Sequence, residues 1–358
     1  LTVLAPVGTV IKPGSKEELI IKKSVIRGEE SNGMLCSEEE LQLGNHSDGI
    51  IELDGSYEVG KLYSDCLDDE SAEIQIAITP NRVDCAGVYG IARDLSAAGF
   101  GTLKEKKIAK IKPSFESNLS IKNELKNKDC PKFSLRLIKN VKNSESNHFI
   151  SKRFSHSGLK KISTLVDITN YITIDFCRPL HVFDYDKLEG DIKIRYSKKG
   201  EKFVGLDDVE YVLDDGMVII CDDKKILSLA GVMGGKNSGC DPNTKNIILE
   251  SAYFSPESIS KTGRKLNIQS DARYRFERGI DPESVESGLE IASLMIKDSC
   301  GGDFGTIVSD SVLLRNRKSI EIEYSFFEKV LGVKIEDSFI TQKLKAIGCE
   351  IHEKKKVL

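Results

Sequence analysis

Asp281-Pro282-Glu283-Ser284-Val285-Glu286-Ser287-Gly288-Leu289, continuing to Gly301-Gly302, is the stretch that decides the fold class. Asp suits the cap of a helix, and Pro suits its first position, where a missing N–H is no loss. Val285, Leu289, Ala292 and Ile296 recur at helical spacing, and the paired glycines supply the stop. Upstream, residues 135–138, 192–194 and 217–221 are short apolar runs that read as strands. Strands and helices mix here without regular βα alternation. Residues from about 124 to 312 are therefore expected to be α+β, not a parallel doubly wound sheet.

Working toward the N-terminus, residues 103–123 are polar and Lys-rich with Pro113 inside, which predicts an exposed linker. Ahead of it, Ile74, Ile76 and Ile78 alternate with Gln75 and Ala77, the pattern of a strand. Thr79-Pro80-Asn81-Arg82 ends it, and a helix is predicted over about 86–98, closed by Gly99. The first ~50 residues alternate apolar pairs with the turn signals Pro13-Gly14 and Arg27-Gly28, as in a small barrel or sheet. Toward the C-terminus, Ser325 and Glu328 have the spacing of a capping box, and Gly332 ends that helix. A second helix over about 338–347 ends at Gly348, and Cys349 and Ile351 are placed to start a strand.

At 358 residues the chain has room for two or three domains. An apolar share of 39% and a net charge of −4 disfavour a disordered chain and a protein that binds nucleic acid by bulk charge alone. No run approaches the ~18 apolar residues of a membrane helix, and residues 1–20 lack the shape of a signal peptide. Nine scattered cysteines, none in a Cys-x-x-Cys pair, argue against a disulfide framework and a zinc site and for a reducing cytoplasm. The first residue is Leu, which suggests a piece of something longer.

Four groups of residues are candidates for chemistry. His181 beside Phe183 is either a satisfied core residue or the start of an acid–base pair. Glu250, after Ile247-Ile248-Leu249, is either a salt-bridged structural group or a placed acceptor at the end of a buried strand. Gly231, Gly234 and Gly235 lack the following Lys-Ser/Thr of a phosphate loop, so a tight turn is the better reading. Lys22, Lys23 and Arg27 form either a solvated strand edge or a contact to a phosphate backbone.

Five strings then combine: Gly33-Met34-Leu35-Cys36-Ser37; Ile78-Thr79-Pro80-Asn81-Arg82 with Asp84; Val166-Asp167-Ile168-Thr169-Asn170-Tyr171 followed by Pro179-Leu180-His181-Val182-Phe183-Asp184; Gly231-Val232-Met233-Gly234-Gly235 followed by Leu249-Glu250-Ser251-Ala252; and Ser270-Asp271-Ala272-Arg273-Tyr274-Arg275-Phe276-Glu277-Arg278-Gly279. In order and spacing the chain resembles the β subunit of bacterial phenylalanyl-tRNA synthetase over nearly its whole length. The resemblance implies a multi-domain α+β chain. It would comprise a partial tRNA-binding OB-type barrel over 1–52, the second half of a small split N-terminal α+β domain over 53–102, the linker over 103–123, a B3/B4 editing domain over 124–315, and a partial winged-helix-like B5 domain over 316–358. Both ends would then be incomplete, with unpaired edges.

The resemblance also implies a function. The family attaches phenylalanine to tRNA(Phe) with ATP and Mg2+, as an α2β2 tetramer whose aminoacylation site lies on the α subunit. No cofactor is expected for this chain itself, and no membrane. The β subunit edits: it hydrolyses mischarged tyrosyl-tRNA. His181, Glu250, Ser270 and Ala272 fall on the family's editing-pocket positions, and Ala230 and Gly234 on its small wall positions. Glu250 would accept the tyrosine hydroxyl, while His181 and Ser270 would orient a water or the terminal ribose. Amides of the glycine turn would stabilise the oxyanion. Arg273, Arg275 and Arg278 would either guide the tRNA end or pair with Glu277 and Asp271. Many members carry Thr where this chain has Ser270, which implies a slightly roomier pocket. An alternative from another class is an RNA-binding and assembly scaffold whose pocket has decayed.

Overall fold

The computed structural model describes residues 1–352 except 16, 44–48, 54, 56, 66–73, 105–107, 127, 158 and 313–318. Cys66 and the expected 315/316 boundary lie outside the described residues. The chain divides into two compact units, Leu1–Ile74 and Gln75–Leu358.

Among its described residues the N-terminal unit has six short strands: β1 (Leu4–Pro6), β2 (Val10–Ile11), β3 (Leu19–Ile20), β4 (Ser24–Ile26), β5 (Glu29–Ser31) and β6 (Gly33–Leu35). They pair antiparallel as β1–β6, β2–β3 and β4–β5 around a small core of Ala5, Ile11, Ile21 and Cys36. Arg27 and Gly28 both take positive φ, 50° and 91°, and so make the tight β4–β5 turn. Where a partial barrel was expected, the described residues form three separate pairs and no closed barrel.

The C-terminal unit is α+β. Its first helix, α1 (Val88–Ala98), ends as expected at Gly99, whose φ of 100° returns its N–H to the Leu95 and Ser96 carbonyls. Then come β7 (Ile121–Asn123), β8 (Lys132–Lys139), α2 (His148–Ser157), α3 (Thr164–Phe176), β9 (Leu180–Asp184), β10 (Ile192–Tyr196), β11 (Lys202–Val204) and β12 (Glu210–Val212). They are followed by β13 (Val218–Cys221), β14 (Ile226–Leu229), β15 (Met233–Gly234), β16 (Ile247–Tyr253), α4 (Pro256–Leu266), α5 (Asp271–Phe276), α6 (Ser284–Cys300) and β17 (Asp303–Ser311). Two further helices, α7 (Tyr324–Leu331) and α8 (Asp337–Ala346), follow, and α8 packs on α1.

Two sheets organise this unit. One is antiparallel in the order β17-β8-β16-β9, and the other runs β15-β14-β13-β10-β7 with β7 parallel to β10. Side chains alternate faces along a strand. Ile138, Val182, Ile247 and Leu249 of the four-stranded sheet enter one core with Ile168 and Ile172 of α3 and Leu289 and Ile296 of α6. Leu135, Phe183, Ile248 and Ala252, on the opposite face, enter a second core shared with Ile194, Ile219 and Leu229 of the five-stranded sheet. Each fully buried side chain of this size contributes about 1.5–3 kcal/mol.

Several expectations are corrected. Residues 74–78 form no strand; Ile74 and Ile76 are exposed, because their alternation finds no paired partner among the described residues. The later part of the expected linker is built into the fold. Ile111 is buried with its N–H on Glu290, Ser114 bonds Phe304, and 121–123 is strand β7. Helix α6 starts at Ser284, because the Asp281 side chain accepts from the Glu283 N–H two residues on, a turn and not a cap. The capping box at Ser325 does not form: α7 begins one residue earlier, and the Ser325 hydroxyl donates to Glu323. No strand forms at 349–352.

Candidate functional site

The register of β9 on β16 pairs His181 with Glu250, and that of β16 on β8 pairs Glu250 with Leu135. All three therefore point from one face of the sheet, into the core that the two sheets share. Glu250 stands in the middle of β16, not at its end as expected. It is 6% exposed, and among the described residues its carboxylate meets no protein hydrogen-bond donor. Burial alone pushes it up to about 8. His181 keeps part of its surface open, but its Nε2 is buried without a partner. Burial pushes the imidazole down to about 4. Near neutral pH both groups are therefore uncharged, the carboxyl carrying its proton and the imidazole lacking a second one.

Phe183 lies edge-on to His181 with ring centroids 4.5 Å apart. On the other side sits Gly234, where a Cβ would come within 2.4 Å of His181 Cε1 and 2.8 Å of Leu206 Cδ1. Only glycine lets β15 approach the imidazole this closely. The glycine run is the tight turn expected of it, linking β14 to β15 with Gly231 at φ 64°. Ala230 is buried in the same core, and Ala272, in the first turn of α5, packs against it.

The turn's amides are largely committed. Those of Ala230, Val232 and Gly235 donate to the Val218, Leu229 and Leu227 carbonyls, so these three are not free to hold an oxyanion. The Ser270 hydroxyl is committed as well. It caps α5 by accepting from the Arg273 N–H at 3.1 Å and donates to the Val232 carbonyl at 2.7 Å. It ties the helix to the glycine turn, a fixing role that sequence reading did not assign to it.

The arginines expected at the tRNA end make internal bonds. Arg273 is buried, pairs with Glu277 at 3.0 Å and donates to the Ile268 carbonyl. Arg275 is buried and divides its donors between the Ala86 carbonyl and Asp271. Their alternative reading, ion pairing with Glu277 and Asp271, is the one found. Arg278 lies over the Tyr274 ring, 3.7 Å from its centroid, and bonds Glu277. Lys22, Lys23 and Arg27 belong to the N-terminal unit and are exposed, with Lys23 paired to Glu30 at 2.9 Å.

A cavity of about 270 Å³ lies elsewhere, lined by Asn118, Ser120, Tyr185, Asp186, Asp191 and Ile248 among others. Asp84, Cys85 and Asp94 lie close enough to share a cation. Arg82 already bonds both carboxylates, however, and Arg93 bonds Asp84. The eight described cysteines are all free, and no described helix is long and apolar enough to cross a membrane.

An α+β unit carrying this strand pair is of a known class: the family model for the B3/4 domain matches residues 129–301. Those residues span all of β8 through α6, including His181, Ala230, Gly234, Glu250, Ser270 and Ala272. The particular family follows from whole-chain likeness. The chain is 43% identical over 337 residues to the phenylalanine–tRNA ligase β subunit of Paramagnetospirillum magneticum, covering 93% of this chain and 42% of that one. It is 44% identical over 348 residues to that of Cereibacter sphaeroides, covering 97% and 43%. The chain belongs to the family of phenylalanine–tRNA ligase β subunits and spans about two fifths of the length of these relatives. A crystal structure of an N-terminal fragment of the phenylalanyl-tRNA synthetase β subunit from Pyrococcus horikoshii matches 77% of this chain and 76% of its own, with 16% identity and a TM-score of 0.39, a likeness too loose to bear on the fold.

Proposed function

We propose that this chain works in translation as the β subunit of a phenylalanyl-tRNA synthetase, and that the pocket around His181 and Glu250 hydrolyses tyrosyl-tRNA made in error. The α subunit supplies the aminoacylation site, with ATP and Mg2+ serving that reaction. The editing need follows from chemistry: a site for phenylalanine cannot strongly reject an isostere that adds one hydroxyl, so a second site must reverse the preference.

Glu250 supports this reading most: a buried carboxyl without a protein partner, on the same sheet face as a histidine with an orphaned nitrogen. In its neutral form the carboxyl both accepts from a phenol O–H and donates to the phenol oxygen. Phenylalanine leaves both groups unpaired, at a cost of about 1–3 kcal/mol. Ala230, Gly234 and Ala272 form the small walls. Water attacks the ester carbonyl, the bond to the tRNA's terminal ribose oxygen breaks, and tyrosine and the free ribose hydroxyl leave. In this reading neutral His181 orients the attacking water or the terminal ribose, and the water's proton ends on the departing ribose oxygen. Ser270 holds α5 and Ala272 in place through its two bonds.

The test is made in the α/β enzyme. Glu250→Ala is expected to cut the preference for hydrolysing tyrosyl-tRNA by about tenfold or more, and Ala272→Trp to block hydrolysis by filling the space for the ring. Both should leave phenylalanine charging nearly intact. Unchanged hydrolysis in folded variants refutes the pocket. Loss of charging in both favours the assembly-scaffold alternative.

A further inference from the structure

Arg178 is among the largest fully buried side chains, 1% exposed, yet it meets no carboxylate among the described residues. Its Nε donates to Ser284 Oγ at 2.8 Å, and its Nη2 to the Asp281 carbonyl and Ser284 Oγ, all at the entry to α6. Its Nη1 donates to the Ala252 carbonyl of β16 at 2.8 Å. The register that pairs Glu250 with His181 and Ser251 with Leu180 puts Pro179 opposite Ala252. Proline has no N–H to continue the ladder, and Arg178 supplies a donor at the place where the ladder stops.

That place matters because β9 is an edge strand whose one neighbour among the described residues is β16. Slipping β9 by a single residue would turn His181 from the Glu250 face to the helix face. Arg178 stands three residues before His181, and Ala252 two residues after Glu250. The stem of Arg178 runs past Gly288 of α6, where a Cβ would come within 2.7 Å of its Cγ. α6, β9 and β16 are thus fastened together by one fork of planar donors, a geometry that lysine cannot reproduce.

We propose that Arg178 is a positioning residue, the pin that sets β9 on β16 and keeps His181 and Glu250 on one face. The proposal rests on the pocket reading above but is tested apart from it. Two readouts are made on the full chain. One is the ratio of tyrosine to phenylalanine affinity by calorimetry; partial unfolding lowers both affinities equally and leaves the ratio unmoved. The other is the ring titration of His181, followed by NMR with labelled histidine. Around that ring, Glu250 faces it from β16, Phe183 lies on its own strand, and Gly234 and Leu206 close in from the side.

Arg178→Lys is expected to lower the affinity ratio about tenfold and to move the His181 midpoint from about 4 toward its ordinary 6.5. Gly288→Ala, which displaces the stem without touching the charge, should move both readouts in the same direction but less. If Arg178→Lys does not fold, Gly288→Ala decides. Folded variants with ratio and midpoint unchanged overturn the proposal and leave Arg178 a stabilising residue only. If the unaltered chain binds neither amino acid, the pocket reading fails, and the His181 midpoint alone decides the role of Arg178.

Discussion

Two buried glutamates flank the four-stranded sheet, one on each side, and they are treated in opposite ways. On the helix side, Glu290 of α6 receives Arg136 of β8 in a two-pronged pair at 2.9 and 3.0 Å, together with the Ile111 N–H. Ser293 takes a further Arg136 donor at 2.8 Å. On the other side, Glu250 is equally buried and receives no protein donor among the described residues. Its pKa rises to about 8, the response of a carboxyl that is desolvated and left alone. A fold keeps a paired buried charge for structure, whereas a buried carboxyl left without a partner, even in its neutral form, is a standing cost that calls for a use.

The largest effect expected lies on the paired side. Arg136→Met should strand the Glu290 carboxylate and cost about 3–5 kcal/mol of folding free energy. Urea unfolding at neutral pH measures it. Glu250→Gln, with no partner to strand, should cost far less in the same assay. Equal losses would break the contrast between the two faces.

The next effect is in pH. The folded pKa of Glu250, about 8, lies above its ordinary 4.5, so its stabilising contribution is full below pH 4.5 and is lost as pH rises through 8. His181 has the opposite sign. Its folded value of about 4 lies below 6.5, so its contribution is full above pH 6.5 and is lost as pH falls through 4. The two oppose each other between 4.5 and 6.5, and Glu250 acts alone from 6.5 to 8. Over that upper window unfolding should become easier by about 2 kcal/mol, and Glu250→Gln should remove the slope. A flat profile in the unaltered chain would mean that Glu250 is paired after all.

The smallest effect concerns the cap. Ser270→Ala should cost about 1 kcal/mol in thermal or denaturant unfolding, and Ser270→Thr almost nothing, since Thr keeps both hydroxyl bonds. A loss for Thr as large as for Ala would show that the bonds at Ser270 are not what holds α5.

Much of the fold is legible in the residues. The runs at 135–138, 192–194 and 217–221 are strands, and Gly99, Gly301 and Gly332 end helices where expected, because period and stop signals are local. Where expectations failed, a distant partner decided. Asp281 has the residue type of a cap, but its side chain closes a turn and its carbonyl is taken by Arg178, about a hundred residues earlier. Residues 111–123 look like a linker by composition, yet Glu290 and β10 draw them into the fold. The triplet Ile74, Ile76 and Ile78 alternates as a strand does, but alternation supplies no neighbour.

At the site the division is the same. The sequence by itself determined the candidates His181, Glu250 and the glycine turn, and the family resemblance added the small residues at 230 and 272. These are choices of side chain, visible one position at a time. Only the tertiary structure decided which remain available. It left Glu250 and the ring nitrogen of His181 without partners. It committed Ser270, Arg273 and Arg275 to internal bonds. It also made a buried fastening of Arg178, which in the sequence is no more than an arginine before a proline. The reason is physical: a hydrogen bond or an ion pair is a property of two groups and the space between them, and folding sets that space.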